Sequence, residues 1–438
     1  MQFNTLNRFR HAIYPCFQRA QDALFETCDA LLTDPAARSF AELSLAPRFR
    51  RRWASLYAAL KDGILDRDQW HQVMAEFAPL PDGAHRLLVG LDTSGIARPE
   101  SPTARDRSYL YVHNLPSRQT AVTVGWSFSS VVVLPATTSS WSYVLDNRRV
   151  PSATTAAQAG AEQLGEIVPH LALRPCVVAD RYYGSAKFVG ATAHVACDKL
   201  LRIPSNRVFY RPAPPRRKRR GAPSKDGPPF KCKDARTHGT PTATWCGTDD
   251  QGHGIDVAGW SDLHYQQYRW VSLTVIRVTR HGASDKKRDP RVSWFVWVGQ
   301  RSIALADVWP TYRRRYGHEH GFRFDKQDLL WLAPRVRTPE QFQRWTDLVA
   351  LARNQLVLVR SEVEAQRQPW ESKARPATPR QVRRVMGRIL DQLGTPARLP
   401  QRRGKSPGRA RGAKIRSAPR YHIVYKDAYR LRHTQKVM

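Results

Sequence analysis

The chain's 438 residues, 41% of them hydrophobic, are enough for two to four folded units. A formal net charge of +34 and a pI near 10.7 create a field that attracts polyanions, so a nucleic-acid partner is expected. No run of about 18 apolar residues occurs, and the start, Met1 to Arg8, has no hydrophobic signal core, so a membrane partner is excluded and a soluble, cytoplasmic protein is expected.

Residues 1–83 read as a helical region, with apolar positions at helical spacing over Ala20–Leu32 and again over Arg52–Leu60. The nearby cluster Arg48, Arg50, Arg51 and Arg52 suits a unit that recognises DNA ends, and the helices equally suit a cap on the core. No helix-turn-helix consensus separates the two. From 84 to 205 the pattern turns to strands over Leu87–Asp92, Tyr109–His113 and Ala121–Leu134, then a helix over Thr154–His170, then a strand over Cys176–Asp180. Two of these apolar runs end in an acid, Asp92 and Asp180. A carboxylate beside a core is costly unless it is hydrogen-bonded or binds a metal. Either one alone would serve as a cap or turn residue.

Residues 206–300 read as β-rich. The Pro-broken stretch Arg211–Lys225, with Arg216, Arg217, Lys218, Arg219 and Arg220 at its centre, cannot bury a core and is expected to be a mobile loop that grips phosphates. Trp270–Val278 and Val292–Val298 read as strands, and Trp245, Trp260, Trp270, Trp294 and Trp297 crowd the segment, most of them expected in the core. None of the six cysteines forms a Cys-x-x-Cys pair. Cys232, His238, Cys246 and His253 match no zinc-finger spacing, so the cysteines read as plain thiols.

Within 301–368 the most informative stretch runs from Tyr312 to Lys326. On a continuous helix Tyr312, Arg315, Glu319, Phe322 and Lys326 share one face, while Arg313 and Arg314 lie about 120° and about 140° from Glu319. One carboxylate then sits in a stripe of cations and aromatics, suited to bringing a metal-binding acid to a phosphodiester. Together Asp92, Asp180 and Glu319 make a three-carboxylate set for hard cations such as Mg²⁺ or Mn²⁺. Thr338–Arg360 opens with a helix-start signal and reads as a packed helix behind this one. Residues 369–438 read as a basic tail. In it Val382–Leu393 is a short helix that docks on its own chain or on a second copy, and Pro400–Lys414 is an arm too poor in apolar residues to fold alone.

The spacing of Tyr312, Arg315, Glu319 and Lys326 resembles the Tyr-Arg-Glu-Lys signature of bacterial insertion-sequence transposases of the DDE type. The order Asp92, Asp180, Glu319 and the flanking text Leu-Asp92-Thr-Ser and Ala-Asp180-Arg-Tyr-Tyr-Gly resemble the same group, over about residues 40–365. The resemblance implies an α/β fold: an RNase H-like catalytic core (84–205 and 301–368) interrupted by a β-rich insertion, with a helical N-terminal region and a basic, largely disordered C-terminal tail. It implies that Asp92, Asp180 and Glu319 are catalytic and hold two Mg²⁺ or Mn²⁺ ions. Tyr312, Arg315 and Lys326 would contact DNA, and Trp245 or Trp260 would stack on a flipped base. The implied activity is cleavage of transposon ends and strand transfer into target DNA, by a homodimer on double-stranded DNA, in the cytoplasm at the nucleoid. A non-catalytic or decayed DNA-binding protein and a general RNase H-like nuclease remain as alternatives.

Overall fold

The computed structural model describes residues 3–81, 83, 86–111, 122–135, 139–215, 222–282, 290–365, 376–401, 408, 410–414 and 417–425. The chain opens with α1 (Asn4–Ile13), β1 (Phe17–Arg19), α2 (Gln21–Thr33), α3 (Phe40–Leu43), α4 (Trp53–Asp62), β2 (Ile64–Leu65) and α5 (Arg67–Glu76), the two strands pairing with each other. Helix α2 is buried from Leu24 to Leu32, polar residues included. That burial is tolerable because its acids are paired. Arg10 on α1 holds both oxygens of Asp29, at 2.7 and 3.1 Å, and also donates to Gln355 Oε1 at 2.6 Å. Three arginines of the Arg48–Arg52 cluster hold partners within the protein: Arg48 donates to the carbonyls of Gly387 and Leu390, Arg50 to Glu26 and the carbonyl of Ala397, and Arg51 to the carbonyl of Arg398. Those three arginines tie the N-terminal helices to the rest of the protein.

Next come β3 (Leu88–Ala97), β4 (Ser108–Tyr111), β5 (Val122–Val133), β6 (Tyr143–Val150), α6 (Ala156–Ile167), β7 (Cys176–Ala179), α7 (Ala186–Ala191) and β8 (Asp198–Ile203). Thr155 starts α6 with a reciprocal capping box to Gln158. A strand does form at the expected Tyr109–His113, as β4, which pairs with β5 at Val122–Gly125, and the strand that pairs with Ser127–Val133 of β5 is β6, which the pattern did not predict. The polar run Asp146 to Arg149 in the middle of β6, between Tyr143–Leu145 and Val150, hid its strand character. The chain continues through β9 (Val208–Tyr210), β10 (Pro229–Lys231), β11 (Ala243–Thr248), β12 (Gly254–Tyr265), β13 (Tyr268–Arg280) and β14 (Val292–Val298). Among the described residues these strands join one mixed sheet, ordered β10-β9-β12-β13-β14-β8-β7-β3-β5-β4, with β11 on β12 and β6 on β5. The segment between β8 and the next helix therefore extends the central sheet, through antiparallel pairing of β14 with β8.

The last elements are α8 (Leu305–Arg313), α9 (Tyr316–Gln327), α10 (Pro339–Ala365) and α11 (Pro379–Leu393). The continuous helix expected over 312–326 is broken, with Arg314 and Arg315 in a turn between α8 and α9. Pro310 inside α8 and Gly317 in the first turn of α9 both weaken a through-going helix. Helix α10 packs on β6, α2 and α11. The described part of the C-terminal region also departs from a largely disordered tail. Helix α11 buries Val382, Met386, Ile389 and Leu390. Farther on, the Tyr421 N–H bonds the carbonyl of Pro102 at 2.8 Å and the Val424 N–H that of Arg107 at 2.7 Å, beside edge strand β4.

Because Arg10 and Asp29 are both almost fully buried, removing one partner strands the other's charge. Arg10→Ala is expected to lower unfolding stability by about 3–5 kcal/mol, read from urea unfolding. A loss under about 1 kcal/mol would mean that water reaches the pair.

Candidate active site

Strands β3 and β7 run parallel, with Leu91 opposite Ala179. Since β7 ends at Ala179, Asp180 leaves the sheet next to Asp92, about 4.8 Å being the usual spacing between strands. Asp92 does not end its own strand, as its apolar run suggested: β3 continues to Ala97, paired beyond Asp92 with β5. What ends is its neighbour, and the Asp92 side chain faces the space that opens there.

The turn between α8 and α9 brings a cation into that space. Arg315 donates from Nη1 to Asp92 Oδ2 and from Nη2 to Glu319 Oε1, each at 2.7 Å. Asp92 Oδ1 accepts the Thr93 N–H at 2.8 Å, and Asp180 Oδ1 accepts the Tyr182 N–H at 2.9 Å. Burial, reinforced by the negative charges of Asp180 and Glu319, pushes the Asp92 carboxyl up to about 7 against the pull of Arg315. Asp180 is also raised, chiefly by burial. Arg315, Arg181 and Arg202 all act on Asp180. The donor set of the three carboxylates is all hard oxygen, which suits a divalent cation. As the side chains stand, no three Asp, Glu, His or Cys among the described residues are close enough to share one ion. Arg315 supplies the positive charge between Asp92 and Glu319.

The other expected site residues are distributed as follows. Tyr312 is only 5% exposed, its ring packed on Phe295 and Trp309, with the Arg315 guanidinium 5.8 Å from its centroid. Packed so, it props the Arg315 fork and presents no open face to DNA. Lys326 donates to the Gly95 carbonyl of β3 at 3.2 Å, and burial lowers its pKa. Arg313 pairs with Asp250. Trp245 is half-buried and lines a cleft of about 310 Å³ with Trp309, Ile255, Arg313 and Arg314, next in sequence to Arg315. Trp260 does not face a cleft: it is buried against Trp294, Phe230 and His238, which leaves no room for a base. Arg216, Arg217, Lys218, Arg219 and Arg220 lie outside the described residues.

Two features escaped the sequence reading. Tyr182 is 62% exposed two residues after Asp180, with the Arg181 guanidinium over its ring, an aromatic and a cation beside the carboxylates. Their adjacency to Asp180 was the available signal. His318, next to Glu319, is fully buried, and neither of its ring nitrogens has a hydrogen-bond partner. Burial, then Arg353 and Arg315, holds it far below the usual histidine range, so it is neutral.

A family model described as DDE superfamily endonuclease matches residues 12–261, more than half of the chain. The protein therefore belongs to the DDE superfamily of endonucleases and is a nuclease by class. Asp92 and Asp180 fall inside the matched span and Glu319 beyond it. No curated protein matches the chain.

The Asp92 shift carries a sign that can be measured. Between the ordinary carboxylate range and about 7, the folded chain holds a proton at Asp92 that the unfolded chain has lost, so stability falls as pH rises through that window. Asp92→Asn removes this dependence. The melting temperature of the variant relative to wild type is expected to climb between about pH 4 and about pH 7 and then level off. A pH-independent difference would show that the site does not hold Asp92 protonated.

Proposed function

We propose that this endonuclease is a DNA transposase that cuts transposon ends and joins them to target DNA. The observation that carries the reading is the meeting of Asp92 and Glu319 on the Arg315 fork, with Asp180 on the neighbouring strand end. Further support comes from the strand order β6-β5-β3-β7-β8, antiparallel across the first three and parallel across the last three. That order suits an RNase H-like core with its first acid on the central strand. The Tyr-Arg-Glu-Lys reading draws support from Arg315, at the start of α9, pairing with Glu319 one turn on.

In this reading Asp92, Asp180 and Glu319 hold two Mg²⁺ or Mn²⁺ ions, which when bound stabilise the attacking and leaving oxygens of an in-line displacement. The carboxylates fix where a phosphodiester reacts. The Arg315 fork has the geometry to hold two oxygens of a phosphate side by side. Lys326, at the outer half of β3, grips the strand a few residues from Asp92. The Trp245 cleft takes a base displaced from the stack, since stacking tolerates any sequence. Arg216 to Arg220 and the wider positive charge hold duplex DNA through its phosphates. Two copies of the chain, one for each transposon end, form a homodimer on double-stranded DNA at the nucleoid. The 84–205 and 301–368 segments serve as the catalytic core, and 206–300 as an insertion that completes the DNA-facing surface.

The deciding experiment compares wild type with Asp92→Asn, Asp180→Asn and Glu319→Gln on cognate end DNA with Mg²⁺ or Mn²⁺. Each isostere keeps the shape of the site and loses a metal ligand, so cutting and joining are expected to drop at least about a thousandfold with DNA affinity nearly unchanged. A variant that cuts at the wild-type rate removes that residue from the site. Wild-type cutting of any RNA–DNA hybrid, with no strand joining, favours a general RNase H-like nuclease. Binding with no cutting by wild type favours a decayed DNA-binding protein.

A further inference from the structure

Helix α9 carries Glu319 in its first turn, and what sets its position lies on the side away from the carboxylates. Arg353 of α10 engages a different partner through each of its guanidinium nitrogens. Nε donates to the Ser142 carbonyl at 2.8 Å, Nη1 to Asp325 Oδ2 at 2.7 Å, and Nη2 to Ser142 Oγ. Ser142 Oγ passes the connection on, donating to the Gly317 carbonyl at 3.1 Å. Asp325 sits near the end of α9 and Gly317 near its start, so one guanidinium holds both ends of the helix that bears Glu319. Arg353, Asp325 and Ser142 are all buried.

The backbone makes room for this arrangement. A Cβ on Gly321, midway along α9, would stand 2.4 Å from Arg353 Nη2 and 2.6 Å from its Cζ. Only a residue with no side chain lets the guanidinium lie against the helix there. On the neighbouring face His318 abuts Gly90 of β3, where a Cβ would come within 3.1 Å of its Nδ1. Gly90 is two residues before Asp92. The helix is thus pinned along its axis by Arg353 and seated on the strand of the first acid through His318 and Gly90.

We propose that Arg353 is a positioning residue that fixes the height and rotation of α9 so that Glu319 faces Asp92 and Asp180; the proposal rests on the metal-site reading given above. A buried ion pair is a poor source of net stability and a good source of geometric specificity. Arg353 acts at a distance, touching neither the carboxylates of the site nor Arg315. Its loss lets α9 slide or turn, and a displacement of about 1 Å at a catalytic ligand is costly.

The test uses the full chain as wild type, Arg353→Lys, Arg353→Met and the double variant Arg353→Met with Asp325→Leu. The double variant leaves no unpaired buried charge and serves if Arg353→Met does not fold. Two readouts are taken: amide hydrogen exchange by element, and single-turnover cleavage of end DNA across a Mn²⁺ titration. In the folded variants α9 amides are expected to exchange about tenfold faster while β3, β5 and α10 stay protected. The Mn²⁺ concentration for half-maximal cleavage should rise about tenfold with DNA affinity unchanged. Arg353→Lys should recover only part of the loss, because an ammonium reaches Asp325 but does not fork onto Ser142. Exchange that quickens equally in every element marks a purely structural role and overturns the proposal, as does cleavage with wild-type Mn²⁺ dependence. If wild type does not cut, the transposase reading fails, and α9 exchange alone then decides whether Arg353 holds the helix.

Discussion

Like charges gathered in a partly buried place repel, and in this protein Arg315 is the cation that lets Asp92 and Glu319 stand together, each 2.7 Å from one arm of its fork. Much of the surrounding architecture serves that contact. Parallel pairing of β3 with β7 brings Asp180 beside Asp92, and the early end of β7 gives both side chains somewhere to point. The break between α8 and α9 turns Arg315 inward. Tyr312, buried at the end of α8, supports the guanidinium from behind. Burial first, and then the charges of Asp180 and Glu319, keep the Asp92 carboxyl well above its ordinary range even with Arg315 alongside.

Helix α10 is the hub behind the site. Three arginine–carboxylate clusters meet it, two of them buried: Arg10 with Asp29 and Gln355, and Arg353 with Asp325; in the third the half-buried Arg67 holds Asp347 at 2.9 and 3.0 Å. They join α10 in turn to the N-terminal helices, to α5 and to α9. Buried ion pairs of this kind add little net stability but allow few alternative registers. The N-terminal helices, whose sequence suited either DNA-end recognition or a cap, are thereby bound to α10, and Arg48, Arg50 and Arg51 reach the carbonyls of α11 and the residues after it.

The site was legible in the sequence where chemistry and local pattern coincide. Asp92 and Asp180 stood out because short apolar runs led into acids, and Glu319 because its neighbours at helical spacing were cationic or aromatic. The features that escaped depend on partners far away in the chain. Arg353 is 211 residues from Ser142, and nothing local distinguishes it from other helical arginines. Strand β6 carries a polar run whose partners lie on other elements, as Gln163 of α6 does for Asp146. The helix break at Arg314 and Arg315 goes with Pro310 and Gly317, but the contact it allows, Arg315 with Asp92, lies 223 residues away in the chain. Trp260 read as a possible base platform, yet the aromatics that cover it come from β10, β14 and the turn at His238.

The central claim is that the three carboxylates form one cation site at the meeting of β3, β7 and α9. A crystal of the protein with end DNA and Mn²⁺, measured at a wavelength where manganese scatters anomalously, tests it most directly. The account predicts anomalous density bounded by Asp92 and Asp180 and by Glu319, whose carboxylate oxygens suit manganese. Manganese bound only elsewhere, with Arg315 still closed on both Asp92 and Glu319, would contradict it.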